Sequence, residues 1–112
     1  MVSFSTAKRF EIFLICLDPT VGTEIKKTRP CVIISPDEMN NMLNTVIIAP
    51  VTSTIRNYPT RVKSNINNRS GEIILDQIRS VNQSRLVKRI GKITSASTKQ
   101  KICDTLLEMF AL

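Results

Sequence analysis

The chain contains no histidine and no tryptophan. Without imidazole, acid–base chemistry near neutral pH falls to carboxylates, Lys, Arg, Tyr or water, and a histidine-dependent nuclease or triad enzyme is excluded. Aromatic residues are scarce, 4% of the chain with Tyr58 the sole tyrosine, which argues against a binder built as a platform for stacked bases. The three cysteines, Cys16, Cys31 and Cys103, are odd in number and show no C-x-x-C spacing, so neither a disulfide framework nor a zinc site is supported. Cys16 and Cys31 lie in apolar runs and read as small core residues, which suits a reducing cytoplasm. No apolar run approaches the ~20 residues of a membrane-spanning helix, and residues 1–7 lack the make-up of a signal peptide. The carboxylates Asp18, Glu24 and Asp76 do not have metal-ligand spacing. No metal, cofactor or membrane is expected.

What remains is one basic domain. The chain has 112 residues, 42% of them apolar, with 16 Lys+Arg against 9 Asp+Glu and a formal net charge of +7. That length fits a single domain over 1–112, and the apolar share supports a true core. The polar start, Met1–Lys8, reads as a flexible arm. Between Ile55 and Lys92 lie nine bases and two acids, while the rest of the chain holds seven of each. The whole excess therefore sits in one third of the sequence. Either a polyanion site is built there or it is a solvated basic face.

Taken in order, Glu11–Leu17 is apolar at both alternating positions, the pattern of a central strand. A polar stretch with Pro, Gly, Thr, Lys, Glu24 and Arg29 follows, which is loop chemistry, before a short strand over Pro30–Ile34. Ser35-Pro-Asp-Glu38 predicts a helix start with Ser35 as N-cap, and the Asn-rich run behind it limits that helix to one or two turns. Further strands are expected at Thr45–Pro50, Thr60–Lys63, Glu72–Leu75, Ile78–Val81 and Val87–Ile93. Ser64–Gly71 reads as a mobile loop. Ser97-Thr-Lys-Gln100 reads as a second capping box, and Ile102, Cys103, Leu106, Met109 and Phe110 recur at helical spacing beyond it. Short strands with one terminal helix predict a small barrel or a strongly bent sheet.

Several blocks fall in the order of a known family. Leu17-Asp-Pro-Thr20, Gly22-x-Glu24, Thr28-Arg-Pro30 and Val32-Ile-Ile-Ser-Pro36 form the first; Ala49-Pro-Val-Thr-Ser53 the second; Pro59-Thr-Arg-Val62 and Gly71-Glu-x4-Gln77 the third. Together they resemble the MazF/PemK/Kid toxins over roughly residues 11–81. The resemblance implies a mainly β, small CcdB/MazF-like barrel related to the Src-homology-3 fold, with a short helix after the second strand and a C-terminal amphipathic helix. It implies a homodimeric, ribosome-independent endoribonuclease that cuts single-stranded mRNA at a short sequence. It also implies a partner antitoxin with an acidic, disordered tail. There are departures. Phe10 stands where the family often has Gly and is expected to shift the strand entry. Thr23 stands where some members have His, and Ile74 where some have Arg.

Cleavage of RNA needs a base for the 2′-hydroxyl proton, positive charge for the phosphorane and a proton for the leaving 5′-oxygen. Arg29 offers a planar fork for two phosphate oxygens, and the family pattern lets it protonate the leaving group as well. The alternative for Arg29 is a structural salt bridge. Glu24 is either the general base or a group that orients Arg29, since a neighbouring guanidinium lowers a carboxylate's basicity. Thr52, at the family's hydroxyl position, either donates to a phosphate oxygen or caps a turn. Thr23, Lys27, Ser53, Arg56, Tyr58, Arg61 and Arg69 are the candidate RNA contacts. Asp76 and Gln77 interrupt an apolar run, and are satisfied either by RNA or by a structural hydrogen-bond network. Two other readings stay open: a non-catalytic CcdB-like toxin that binds a protein, disfavoured by the missing Trp, and a basic RNA-binding barrel without turnover.

Overall fold

A computed structural model describes residues 6–17 and 28–112; Thr23, Glu24 and Lys27 of the candidate site lie outside them. The described residues form seven strands: β1 (Glu11–Cys16), β2 (Thr28–Ile33), β3 (Thr45–Thr52), β4 (Arg61–Ile66), β5 (Arg69–Ile74), β6 (Arg79–Asn82) and β7 (Leu86–Lys92). Helix α1 (Asp37–Met42) follows β2, and α2 (Ala96–Phe110) ends the chain. The strands run in the order β4-β5-β3-β2-β1-β7, with β6 also paired to β3. The fold is mainly β, a half-barrel sheet with a C-terminal helix. No helix among the described residues is long and apolar enough to cross a membrane.

The continuous apolar run of β1 is explained by burial on both faces. Ile12 packs with Val32, Ala49, Ile73 and Ile102 on one side; Phe13 and Ile15 pack with Cys31, Ile33 and Ile48 on the other. Strands β1 and β2 pair antiparallel, Ile12 opposite Val32 and Cys16 opposite Thr28. Phe10 adopts the left-handed region itself (φ 71°), and its N–H and C=O bond to Ile33 and Ile93. A non-glycine residue there costs about 1–2 kcal/mol. The Phe10 ring partly offsets this through the Arg9 guanidinium (5.1 Å from the ring centre) and the Lys99 ammonium (5.5 Å), each contact contributing about 0.5–1 kcal/mol.

Strand β3 exchanges partners along one edge. Thr45–Ile48 pair with β6 and Val51–Thr52 with β5, while β2 holds the other edge. Pro50, which has no N–H to donate, lies between the two stretches. The chain passes from β5 to β6 through a 3-10 turn at Leu75–Gln77, where the polar pair Asp76-Gln77 breaks the apolar run.

Four local expectations need correction. Ser64–Gly71 is not a mobile loop. It is most of a hairpin between β4 and β5, turned at Asn67 and Asn68, both left-handed (φ 52° and 64°); asparagine tolerates that region, and two such residues suit a tight hairpin turn. Ser35 does not cap α1. Pro36 occupies the N-cap, and the Ser35 hydroxyl donates to Asn40 Oδ1 while accepting from Ile47 N–H. Helix α2 is capped by Ser95, not Ser97, and Phe110 stays exposed at its end. Ala7 does not belong to a flexible arm: it is buried, and its carbonyl accepts from Asn40 Nδ2 at 3.1 Å.

A buried acid anchors the β3–β4 loop. Glu72 is 1% exposed; its carboxylate accepts from the backbone N–H groups of Arg56 (3.1 Å) and Asn57 (2.9 Å). Burial alone pushes the Glu72 pKa up, but those N–H groups, with Arg61 and Lys63 nearby, outweigh it and hold the group below its ordinary value. Asp76 follows the same pattern: burial raises it, and hydrogen bonds from Arg61 and Thr60 bring it below the usual value.

Two tests follow from this packing. Asn40→Ala removes the side chain that ties Ala7 and Ser35 together and leaves buried carbonyls unpaired, so urea unfolding should show a loss of about 2 kcal/mol. Because the folded pKa values of Glu72 and Asp76 are depressed, the unfolded chain binds more protons in acid. The stability they contribute is complete above the ordinary carboxylate range and is lost as pH falls through their lower folded values. Urea midpoints should drop on acidification from pH 5 towards pH 2, and the drop should flatten in Glu72→Gln and Asp76→Asn.

Candidate active site

A cleft of about 650 Å³ opens where β1, β2, β3, β7 and the β4–β5 hairpin meet. Its apolar walls are Leu14, Pro30, Val51, Ile66 and Ile90, and its polar lining is Thr28, Arg29, Thr52, Ser53, Asn67, Arg69 and Ser70. Each of the candidate residues in the cleft is placed by a strand end. Arg29 lies at the start of β2 opposite Ile15, followed by Pro30 and the buried Cys31. Thr52 closes β3, and Arg69 opens β5 straight after the Asn67-Asn68 turn. Sheet pairing therefore brings together residues separated by up to forty positions.

The approach of β5 to β3 depends on Gly71. A Cβ there would lie 2.5 Å from the Thr52 carbonyl oxygen, far inside contact distance. Only glycine lets Thr52 and Arg69 share the cleft at this spacing.

The Thr52 hydroxyl oxygen accepts the Thr54 N–H at 3.1 Å. Both readings open for this residue are thus compatible: the turn contact fixes Oγ1, while the hydroxyl proton remains available to donate. The described lining holds two guanidinium groups and no carboxylate, and neither Arg29 nor Arg69 forms an ion pair with a described residue. Such a lining favours an anion. Cys31 does not supply a nucleophile. Burial pushes its thiol up to about 12, although Arg29 and Arg79 pull the other way, so the reactive thiolate is absent at neutral pH. No group of three or more His, Cys, Asp or Glu side chains that could hold a metal occurs among the described residues.

Of the candidate residues, Arg29, Thr52, Ser53 and Arg69 meet in the cleft. Tyr58, Arg61 and Asp76 form a separate cluster that does not line the cleft, and Arg56 is tied by its backbone N–H to Glu72. The Arg61 guanidinium lies 4.7 Å from the centre of the Tyr58 ring and its Nε is 3.2 Å from Asp76 Oδ1. Thr60 Oγ1 also donates to Asp76 at 2.9 Å. Of the two alternatives open for Asp76, RNA contact or a structural hydrogen-bond network, the hydrogen bonds of the second are present. Gln77 is exposed at the end of the 3-10 turn. Reading the sequence missed Gly71 and Glu72 as residues that shape the site. The available signal was an acid directly ahead of Ile73-Ile-Leu75, a position where an unpartnered charge is not tolerated.

The pattern of the family described as "PemK-like, MazF-like toxin of type II toxin-antitoxin system" matches residues 8–110. The chain is 31% identical over 103 residues to Endoribonuclease MazF9 of Mycobacterium tuberculosis, covering 83% of this chain and 87% of that one. It is 33% identical over 89 residues to Endoribonuclease EndoA of Bacillus subtilis, covering 74% and 77%. A solved mycobacterial endoribonuclease in complex with its cognate antitoxin superposes with a TM-score of 0.79 at 22% identity, over 95% of this chain and 96% of that one; this shows the shared fold. With its sequence matched nearly end to end and its half-barrel in common, the chain belongs to the PemK-like, MazF-like toxins of type II toxin–antitoxin systems.

Proposed function

We propose that the protein is a sequence-specific, ribosome-independent endoribonuclease acting on single-stranded mRNA in the cytoplasm, as the toxin half of a toxin–antitoxin pair. The observation that carries this reading is the cleft itself: Arg29, Arg69 and Thr52 line one space, and no described carboxylate lines it or pairs with either arginine.

In this reading the RNA supplies its own nucleophile. The 2′-oxygen attacks the adjacent phosphorus as its proton is removed, the P–O5′ bond breaks, and the 5′-oxygen is protonated as it leaves. The products are a 2′,3′-cyclic phosphate and a 5′-hydroxyl. Arg29 holds the non-bridging oxygens, where charge grows in the transition state, and stands as the proton donor to the 5′-oxygen. Thr52 donates to a phosphate oxygen from a fixed Oγ1. Glu24 is the proposed base. Arg69 and Ser53 bind the backbone beside the scissile link, with Thr23 and Lys27 as further contacts. Arg56, Tyr58, Arg61, Asp76 and Gln77 are proposed to read flanking nucleotides. Tyr58, 48% exposed and backed by Arg61, offers a ring to a base. No step requires a metal. The protein is further proposed to act as a homodimer and to be silenced by an antitoxin whose acidic tail occupies the same cationic cleft.

The deciding experiment is incubation with mixed single-stranded RNA in the presence of a chelator, followed by mapping of the ends. Cuts confined to a short sequence, with cyclic-phosphate termini, are expected; intact RNA from a folded protein would overturn the reading. Arg29→Ala should lower the cleavage rate at least about 10²–10³-fold and leave the urea midpoint unchanged, since Arg29 is exposed. RNA affinity should fall linearly on a log–log plot against salt, and Arg69→Ala should reduce the slope by about 0.7, the share of one phosphate on a single strand.

A further inference from the structure

Glu72 joins the sheet to the loop that follows Thr52. It is Thr52's own partner in the β3–β5 register. Its two oxygens are divided between two consecutive N–H groups, Oε1 to Arg56 and Oε2 to Asn57. Both donors lie in the loop and neither in the sheet. Asn57 is left-handed (φ 59°), a bend that turns successive N–H groups towards one anion. The loop starts at Ser53, which lines the cleft. The pairing of Val51 with Ile73 and of Thr52 with Glu72 is made by backbone and does not depend on the carboxylate. Losing the carboxylate therefore frees the loop and leaves the sheet.

We propose that Glu72 is a positioning residue whose carboxylate clamps the Arg56–Asn57 backbone onto β5 and holds the 53–60 loop at the cleft rim in the shape that receives RNA. This rests on the ribonuclease reading above. Glu72 touches no substrate; it acts through the loop. The groups facing it are the Arg61 guanidinium, 4.0 Å from Oε1, and Lys63, its partner across the β4–β5 pair. Both favour the charged form, so the clamp is closed at neutral pH.

Two measurements on Glu72→Gln separate this role from a structural one. An amide oxygen accepts one of the two N–H groups, but its NH2 faces the other, so the clamp is half lost. Arg56 is exposed, and trypsin cuts after arginine. Native-state proteolysis should show cleavage after Arg56 accelerated about tenfold, with other sites unchanged. With RNA, KM should rise five- to tenfold at nearly constant kcat, and the cleavage sites should become less restricted. Glu72→Asp keeps the charge with shorter reach and should fall between, which also covers the case in which Glu72→Gln does not fold. Unchanged trypsin sensitivity after Arg56 would overturn the clamp. Faster trypsin cleavage with unaltered KM and cut sites would overturn its role in RNA binding. A fall in kcat alone, in step with the folded fraction, would reduce Glu72 to a stability residue. Wild-type protein that leaves RNA intact would remove the ribonuclease reading and this role with it, and is distinguished by the wild-type control.

Discussion

The architecture turns on the change of partners along β3. One edge of this strand serves β6 first and β5 afterwards. A flat sheet would carry one neighbour along the whole edge. Here Pro50 withholds a donor between the two stretches, and the 3-10 turn at Leu75–Gln77 lets the partner chain step aside. The β4–β5 hairpin then leans over the end of β3, and Gly71 lets it come within backbone contact of Thr52. The cleft is the space left under that hairpin. Thr52 from β3, Arg29 from β2 and Arg69 from β5 line it because three strand ends converge there.

Charge is distributed in the same spirit. Acids of the described sheet are occupied outside the cleft: Glu11 pairs with Arg89 at 2.6 Å, Asp76 with Arg61 and Glu72 with the loop backbone. The arginines of the cleft lack such partners among described residues. A partly exposed ion pair such as Glu11–Arg89 contributes little, about 0–1 kcal/mol, so it matters less for stability than for where it leaves positive charge uncompensated. The excess of bases between residues 55 and 92 is thus divided. Arg61 is paired with Asp76 and lies near Glu72, while Arg69 lines the cleft without a described partner, a distinction that net charge cannot make.

Much of the fold is legible in the chain because it depends on local pattern. The two-sided apolar run of β1 needs two covered faces, and the helical spacing after residue 96 needs a sheet to pack on; both are found. Arg29 and Thr52 could be picked out because strand-end residues in ordered blocks keep their neighbours. The misreadings share a cause. Ser35 and Ser97 sit in sequences suited to capping, but Ser35 is drawn into a buried contact with Asn40, and Ser95 takes the cap two residues earlier. Asn67-Asn68 carries no glycine and looks like loop, although two left-handed asparagines close a hairpin well. Glu72 and Gly71 gain their meaning only from backbone brought from fifteen to twenty positions away. No window of sequence contains that partner.

Glu72 also shows why a buried charge can persist in a small domain. An apolar side chain there would match Ile73 and Ile74 in character and avoid desolvation, and such replacements of buried ions are often neutral or stabilising. Yet it would leave two backbone N–H groups with nothing to donate to, each costing about 1–3 kcal/mol if kept from water. The loop would escape that cost by swinging out to solvent. The carboxylate therefore selects one loop conformation from several of similar energy, and it adds little to the sheet beneath. The same trade holds at Phe10, where an unfavourable backbone angle is kept because Arg9 and Lys99 pack against the ring. In both places a local penalty is tolerated to fix how a segment leaves the sheet, and in a domain whose cleft is assembled from strand ends, that exit geometry decides what the cleft can hold.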